Sequence, residues 1–108
     1  MKNLFPLEAI ANIVGLYVFI STDSIYDVCD RALRDDSGLV KESMSVRPND
    51  IETYKEYRKD EDYGHDKLKC EEYLKMKQIF KYVILRLSDV IGPYDDSGRF
   101  WGYVKWIQ

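Results

Sequence analysis

The chain has 108 residues, enough for one small domain, and 45% of them are hydrophobic against 32% charged. This balance excludes a disordered segment and a chain built mainly of membrane-spanning helices. The formal net charge is −3, and acidic residues interleave with basic ones between residues 55 and 77, so nothing favours nucleic-acid binding. We therefore expect a cytoplasmic protein with no nucleic-acid partner and no membrane association.

The first part of the chain predicts a helix that leads into a buried strand. Apolar residues at positions 4, 7, 10, 11 and 14 fit a helix with one inward face, and Gly15 ends it. Residues 16–20 form a continuous apolar run, which is typical of a parallel strand buried on both faces. Polar residues 21–24 end this strand, and residues 24–32 predict a short helical turn.

The rest of the chain predicts a helical crossover to a second strand. After an irregular loop, Asp50 is the expected N-cap of a charged helical stretch that reaches about residue 80, with a break near Gly64. Residues 82–87 predict a second buried strand, and residues 100–108 are amphipathic and aromatic. Two strands joined by a helix predict an α/β fold with a right-handed parallel βαβ unit.

Three side chains have the chemistry of a proton-transfer site. Thr22 supplies a hydroxyl at the end of the first strand, and Tyr63 and Lys67 supply a phenol and an ammonium four residues apart. Residues at this spacing project from one helix face. A hydroxyl, a phenol and an ammonium together can move a proton to or from a substrate oxygen.

Other polar residues have structural interpretations. His65, the only histidine, lies two residues after Tyr63 and is expected to be exposed on another face of the helix. Arg86 is expected to pair with a carboxylate inside the fold, and Cys29 and Cys70 are expected to be reduced, buried thiols. The repeated Asp-Asp-Ser-Gly sequences at 35–38 and 95–98 lack calcium-loop spacing and predict turns, so no metal site is expected. The C-terminal aromatic side chains are expected in a core rather than in a ligand stack: Trp101, Tyr103 and Trp106.

Three sequence blocks, in this order and spacing, resemble the extended short-chain dehydrogenase/reductases, most closely the NAD-dependent epimerase/dehydratase group. The blocks are Ser-Thr-Asp-Ser-Ile-Tyr at 21–26, Tyr63-x-x-x-Lys67 with Glu71 following, and Leu-Arg-Leu-Ser-Asp-Val-Ile-Gly-Pro at 85–93. The resemblance covers roughly residues 16 to 107. It implies that the chain is part of a Rossmann-type domain, truncated at both ends and without the half that carries a glycine-rich phosphate loop.

The resemblance also implies roles for individual residues. Thr22 matches the residue that orients the substrate oxygen, Tyr63 matches the proton-exchanging tyrosine, and Lys67 matches the lysine that also holds the ribose hydroxyls. The implied cofactor is NAD or NADP, and it would contact these positions: Tyr63, Lys67, Leu87, Ser88 and Val90.

The implied substrate is a small molecule, either a sugar nucleotide or a related alcohol or carbonyl compound, facing Asp89 and Ser24. Asp23 adds a negative charge beside Thr22, which counts against an anionic substrate at that point. The family often pairs two copies through the helix that carries Tyr-x-x-x-Lys, so the resemblance allows a homodimer.

Two interpretations of the chain remain open. It is either a fragment of an NAD(P)-dependent enzyme, with little activity by itself, or a non-catalytic truncated scaffold that acts through protein partners. The retention of Thr22, Tyr63 and Lys67 together favours the first interpretation as ancestry. The absence of a Gly-x-x-Gly-x-x-Gly loop before the first strand argues against activity of the chain alone.

Overall fold

A computed structural model describes the backbone of residues 5–108 and the side chains from Leu7 onward. The helices are α1 (Phe5–Ile10), α2 (Ile51–Asp60), α3 (Asp62–Lys77) and α4 (Arg99–Ile107), and the strands are β1 (Tyr17–Thr22) and β2 (Tyr82–Leu87). Short 3₁₀ segments cover Asp23–Val28, Arg31–Leu33 and Glu42–Met44. Across the described part of the chain, every helix is too short or too polar to cross a membrane.

The two strands form a parallel pair, which confirms the α/β class and both predicted strands. Tyr17 pairs with Tyr82 at one end of the register and Thr22 pairs with Leu87 at the other. The connection between the strands contains α2 and α3, and α3 packs against β1. Because the strands are parallel, both carboxyl ends lie at the same edge of the sheet.

The prediction that both strands are buried on both faces is wrong. Burial alternates along each strand, so the sheet has a covered face under α3 and an open face. The open face carries apolar side chains that are 39–49% exposed: Val18, Ile20, Val83, Leu85 and Leu87. A continuous apolar run indicates that both faces of a strand can pack against apolar groups. It does not indicate whether the same chain supplies the groups that cover the second face.

Capping residues set the helix boundaries close to those predicted. Asp50 is the N-cap of α2, because its Oδ2 accepts a hydrogen bond from the Thr53 amide at 2.9 Å. The break in the charged stretch falls at Glu61, three residues before Gly64, and the Glu61 side chain caps α3 through the Gly64 amide at 3.0 Å. The first helix ends at Ile10, earlier than the apolar pattern to residue 14 predicted.

Both Asp-Asp-Ser-Gly sequences form turns, as predicted. In each, the first Asp accepts a hydrogen bond from the Ser amide, at 2.9 Å in Asp35–Ser37 and 3.0 Å in Asp95–Ser97. The glycines that follow have φ angles of +73° and +78°, a conformation that glycine adopts without a steric penalty. Within the described residues, no group of three or more His, Cys, Asp or Glu side chains is placed to hold a metal ion.

The core lies between α3 and the 3₁₀ segment that follows β1. It consists of five buried side chains: Ile25, Tyr26, Val28, Cys29 and Leu68. Cys70 is also buried, so both cysteines occupy the buried positions predicted for them. The prediction of an aromatic core in the C-terminal segment is wrong, since Trp101, Tyr103 and Trp106 are all exposed on α4. An amphipathic pattern defines an apolar helix face but not the surface that covers it.

Candidate active site at the carboxyl edge of the sheet

Two hydroxyls at the end of β1 have different roles. The Ser21 hydroxyl is buried and donates to Glu71 Oε2 at 2.9 Å on the covered face. Thr22 Oγ1 accepts from the Ser24 amide at 3.2 Å and so caps the following 3₁₀ segment. Its own proton has a weak acceptor, Asp23 Oδ1 at 3.5 Å, well beyond the usual O–H···O distance. Among the described residues the Thr22 hydroxyl, in a side chain that is only 7% exposed, therefore has no strong acceptor for its proton.

The side chain of Lys67 reaches from α3 to the end of β1. Its Nζ donates to the carbonyl oxygen of Ile20 at 2.9 Å and lies 4.9 Å from the centre of the Phe19 ring. Ile20 is two residues before Thr22, so this contact holds the ammonium beside the strand end that carries the hydroxyl. The contact links Lys67, one of the predicted catalytic residues, to the backbone of β1 two residues before Thr22.

Tyr63 lies in the first turn of α3, one turn before Lys67, and is 59% exposed. Within the described part of the chain its hydroxyl makes no hydrogen bond, so it can receive one from a ligand. Gly64 brings this turn close to the chain after Thr22: a Cβ atom at position 64 would lie 2.3 Å from the Ser24 carbonyl oxygen. The missing side chain of Gly64 therefore allows the first turn of α3 to approach the segment that follows β1 closely.

The segment after β2 supplies the other predicted positions. Leu87 pairs in register with Thr22 and is half-exposed, and Ser88 and Val90 are exposed beyond it. Ser24, in the 3₁₀ segment after β1, is half-buried. Its carbonyl oxygen lies against α3 at Gly64, and its amide donates a hydrogen bond to Thr22 Oγ1. Leu87 and the residues that follow it therefore lie at the same edge of the sheet as Thr22.

Asp89 turns toward α4. Its carboxylate accepts a hydrogen bond from the Tyr103 hydroxyl, and its Oδ1 lies 3.8 Å from Arg99 Nε. These three residues line an open groove of about 400 Å³ together with Gly102 and Trp106. The hydrogen bond to Asp89 raises the pKa of Tyr103, and the Asp23 carboxylate adds to that increase. The groove therefore lies between α4 and the segment that follows β2.

The prediction that His65 is exposed is wrong. The side chain is 2% exposed, its Nδ1 lies 3.1 Å from Arg47 Nη1, and its ring packs edge-on against Tyr54. As the helical spacing predicted, His65 and Lys67 lie on different faces of α3, since His65 contacts Arg47 and Lys67 contacts Ile20. However, α3 is covered on two sides, by the sheet and 3₁₀ segment on one and by α2 and Arg47 on the other. Sequence analysis missed Arg47, because nothing near it in the sequence indicates its partners.

A buried ion pair fixes α3 against β2, as predicted for Arg86. Glu71 is fully buried, and its Oε1 accepts from Arg86 Nη2 at 2.7 Å and from Nε at 3.0 Å. The remaining donors of Arg86 reach the Tyr26 hydroxyl at 2.9 Å and the Ser45 hydroxyl at 3.1 Å. With its donors saturated, Arg86 supports the site and is not available to bind an anionic ligand.

Comparison of the chain with protein-family models, with curated proteins and with solved structures finds no match in any of the three. The fold is that of an α/β protein with a two-stranded parallel sheet and flanking helices. The residues at the carboxyl edge of that sheet are the basis for a functional proposal.

Proposed function

We propose that this chain is part of an NAD(P)-dependent oxidoreductase, epimerase or dehydratase that acts on an alcohol or carbonyl group. Thr22, Tyr63 and Lys67 are its catalytic residues, and β1 and β2 are neighbouring strands of a Rossmann-type sheet. The observation that carries the proposal is the 2.9 Å hydrogen bond from Lys67 to Ile20, which ties the Tyr-x-x-x-Lys helix to the carboxyl end of β1. Open α/β sheets bind their ligands at that edge.

The chemistry assigned to the three residues follows from their positions. Thr22 donates a hydrogen bond to the substrate oxygen, and the unbonded hydroxyl of Tyr63 exchanges a proton with it. The Lys67 ammonium stabilises a phenolate electrostatically. NAD or NADP, when bound, supplies the hydride chemistry. The chain fits the nicotinamide half of such a cofactor, because Lys67 and the exposed segment from Leu87 to Val90 line one edge.

The charges at this edge bear on the substrate. Asp23 is exposed beside Thr22, and Asp89 lies across the edge near α4. Two carboxylates disfavour an anionic group at the reacting end of the substrate. A neutral alcohol or carbonyl compound is the substrate class that this arrangement favours, with Ser24 and Asp89 as the proposed substrate-binding side chains.

The alternative function is a non-catalytic scaffold that acts through a protein partner. It is favoured by the open face of the sheet, whose five apolar side chains are 39–49% exposed. Contiguous exposed apolar surface often marks an interaction site. The two functions make different predictions for nucleotide binding, so one experiment separates them.

The test is saturation-transfer difference NMR of NADH and NADPH with the 108-residue chain. We expect saturation on the nicotinamide ring and its ribose, with little on adenine, because the residues at the edge contact the nicotinamide half. Lys67→Met should abolish the signal. Lys69→Met is the matched control, since Lys69 is exposed on another face of the same helix, and it should leave the signal unchanged.

Three results would contradict the proposed enzyme function. The first is a folded chain that gives no saturation on either nucleotide. The second is saturation confined to adenine, and the third is an equal loss of signal in Lys67→Met and Lys69→Met. Any of these would leave the scaffold function as the better description of the chain.

A further inference from the structure

The His65 ring is buried against a group that can only donate hydrogen bonds. Its Nδ1 lies 3.1 Å from Arg47 Nη1, and a guanidinium has no acceptor. Nδ1 must therefore accept, and the imidazole is neutral with its proton on Nε2. A protonated ring would place two positive charges 3.1 Å apart at a site where His65 is 2% exposed.

The charges around His65 reinforce this preference for the neutral ring. The titratable and charged groups that face it come from the 45–50 loop, α2 and α3: Arg47, Tyr54, Arg58, Asp66, Lys69 and Glu72. Burial, followed by Arg47, lowers the pKa of His65 below its ordinary value of 6.5, and Asp66 opposes this only weakly. Glu72 is engaged with Arg47 at 2.8 Å and is half-exposed, so it offsets little of the repulsion.

The same contact holds the first turn of α3 in place. Besides the ring, Arg47 donates to the His65 carbonyl at 3.4 Å, and its guanidinium lies 5.2 Å from the Tyr54 ring centre. His65 directly follows Gly64, the residue that lies against the Ser24 carbonyl. Movement of His65 therefore displaces the turn that carries Tyr63.

We propose that His65 is a pH-responsive positioning residue: protonation of its ring breaks the Arg47 contact and releases the first turn of α3 from Ser24. Mild acid thus loosens the packing of the helix that carries Tyr63 and Lys67 against the segment that follows Thr22. The inference goes beyond the proposed function, and its test uses the chain without nucleotide, so the two can fail separately.

The test is an NMR titration between about pH 8 and about pH 5, the range in which imidazole titrates. His65 is the only histidine, so the ¹³Cε1 signal of labelled histidine reports on it alone. The amides of Gly64 and Ser24 report on the α3 contact. We expect all three signals to share one midpoint below pH 6.5, and Arg47→Met to move that midpoint upward. Lys59→Met, which removes an exposed α2 charge, should leave it unchanged.

Several results would overturn the proposal. One is an imidazole that titrates while the Gly64 and Ser24 amides stay fixed or follow a separate midpoint at carboxylate pH. Another is a His65 midpoint at or above 6.5 that Arg47→Met does not change. A chain without dispersed amide signals would also overturn it, because the buried environment would not exist. Should Arg47→Met unfold the chain, Arg47→Lys keeps the charge, removes the fork-shaped donor and should shift the midpoint in the same direction by a smaller amount.

Discussion

Glu71 and Arg86 form a buried ion pair that joins α3 to β2, with 2.7 Å between Oε1 and Nη2. Glu71 also accepts from Ser21 of β1, so one carboxylate connects the helix to both strands. No buried side-chain polar atom of the described residues lacks a hydrogen-bond partner. The network therefore sets the position of α3 on the sheet, and with it the positions of Tyr63 and Lys67.

Loss of the Glu71 charge is expected to destabilise the chain strongly. Glu71→Gln leaves the mostly buried Arg86 guanidinium without a counterion, which costs about 3 kcal/mol of unfolding free energy. Glu72→Gln is the matched control on the next residue: its carboxylate is 49% exposed in a pair with Arg47, and its loss should cost less than about 1 kcal/mol. Urea unfolding followed by circular dichroism measures both. Equal losses would show that burial does not distinguish the two pairs.

The features that the sequence predicted correctly depend on neighbouring residues. Asp50 caps α2 through Thr53, three residues away, and the second strand occupies the predicted residues 82–87. The pairing of Arg86 was predictable because a cation within a strand that is covered by a helix needs a carboxylate. Local spacing and elementary electrostatics are sufficient for these features.

The features that it predicted wrongly depend on distant parts of the chain. His65 is buried because Arg47, eighteen residues earlier, folds over it. Trp106 is exposed because α4 makes no extensive contact with another described helix or strand. For the candidate site, the sequence indicated Thr22, Tyr63 and Lys67. It did not indicate the Lys67–Ile20 contact, which depends on how α3 crosses β1.

Gly64 is expected to tolerate no side chain. In Gly64→Ala the new Cβ would lie 2.3 Å from the Ser24 carbonyl oxygen, so α3 must move away from the strand end. Such overpacking costs about 1–3 kcal/mol. Gly102→Ala in α4 is the control: its Cβ meets open space, and alanine favours a helix by up to about 1 kcal/mol. Thermal unfolding of both variants measures the difference, and a stabilised Gly64→Ala chain would mean that this close approach is absent in solution.

The Cys29 thiol is expected to be unreactive in the folded chain. Burial raises the pKa of Cys29 to about 11, so almost no thiolate exists near pH 8. Because the pKa of Cys29 is higher in the folded chain than in the unfolded chain, ionisation of the thiol destabilises the fold. The stability that the neutral thiol contributes is present below about pH 9 and is lost as the pH rises toward about 11. Reaction with a disulfide reagent should therefore be limited by unfolding. In denaturant both cysteines should react at once, and a fast native reaction at Cys29 would contradict its burial.

The open face of the sheet is expected to bind apolar dyes and to promote self-association. Val83 and Leu85 lie on this face at 42% exposure each, and because they are two residues apart their side chains project from the same side of the sheet. Val83→Lys with Leu85→Glu makes the face polar without changing the net charge, so anilinonaphthalene sulfonate fluorescence and the sedimentation coefficient should both fall.

The matched control for this face is Met76→Lys with Ile51→Glu, which makes the same change of polarity at two exposed helical positions. Because these side chains are isolated on α3 and α2, dye binding and sedimentation should match those of the original chain. Equal effects of the two double variants would mean that the sheet face is not a distinct apolar patch. A fall confined to the sheet variant would identify this face as the surface through which copies of the chain, or a partner, associate.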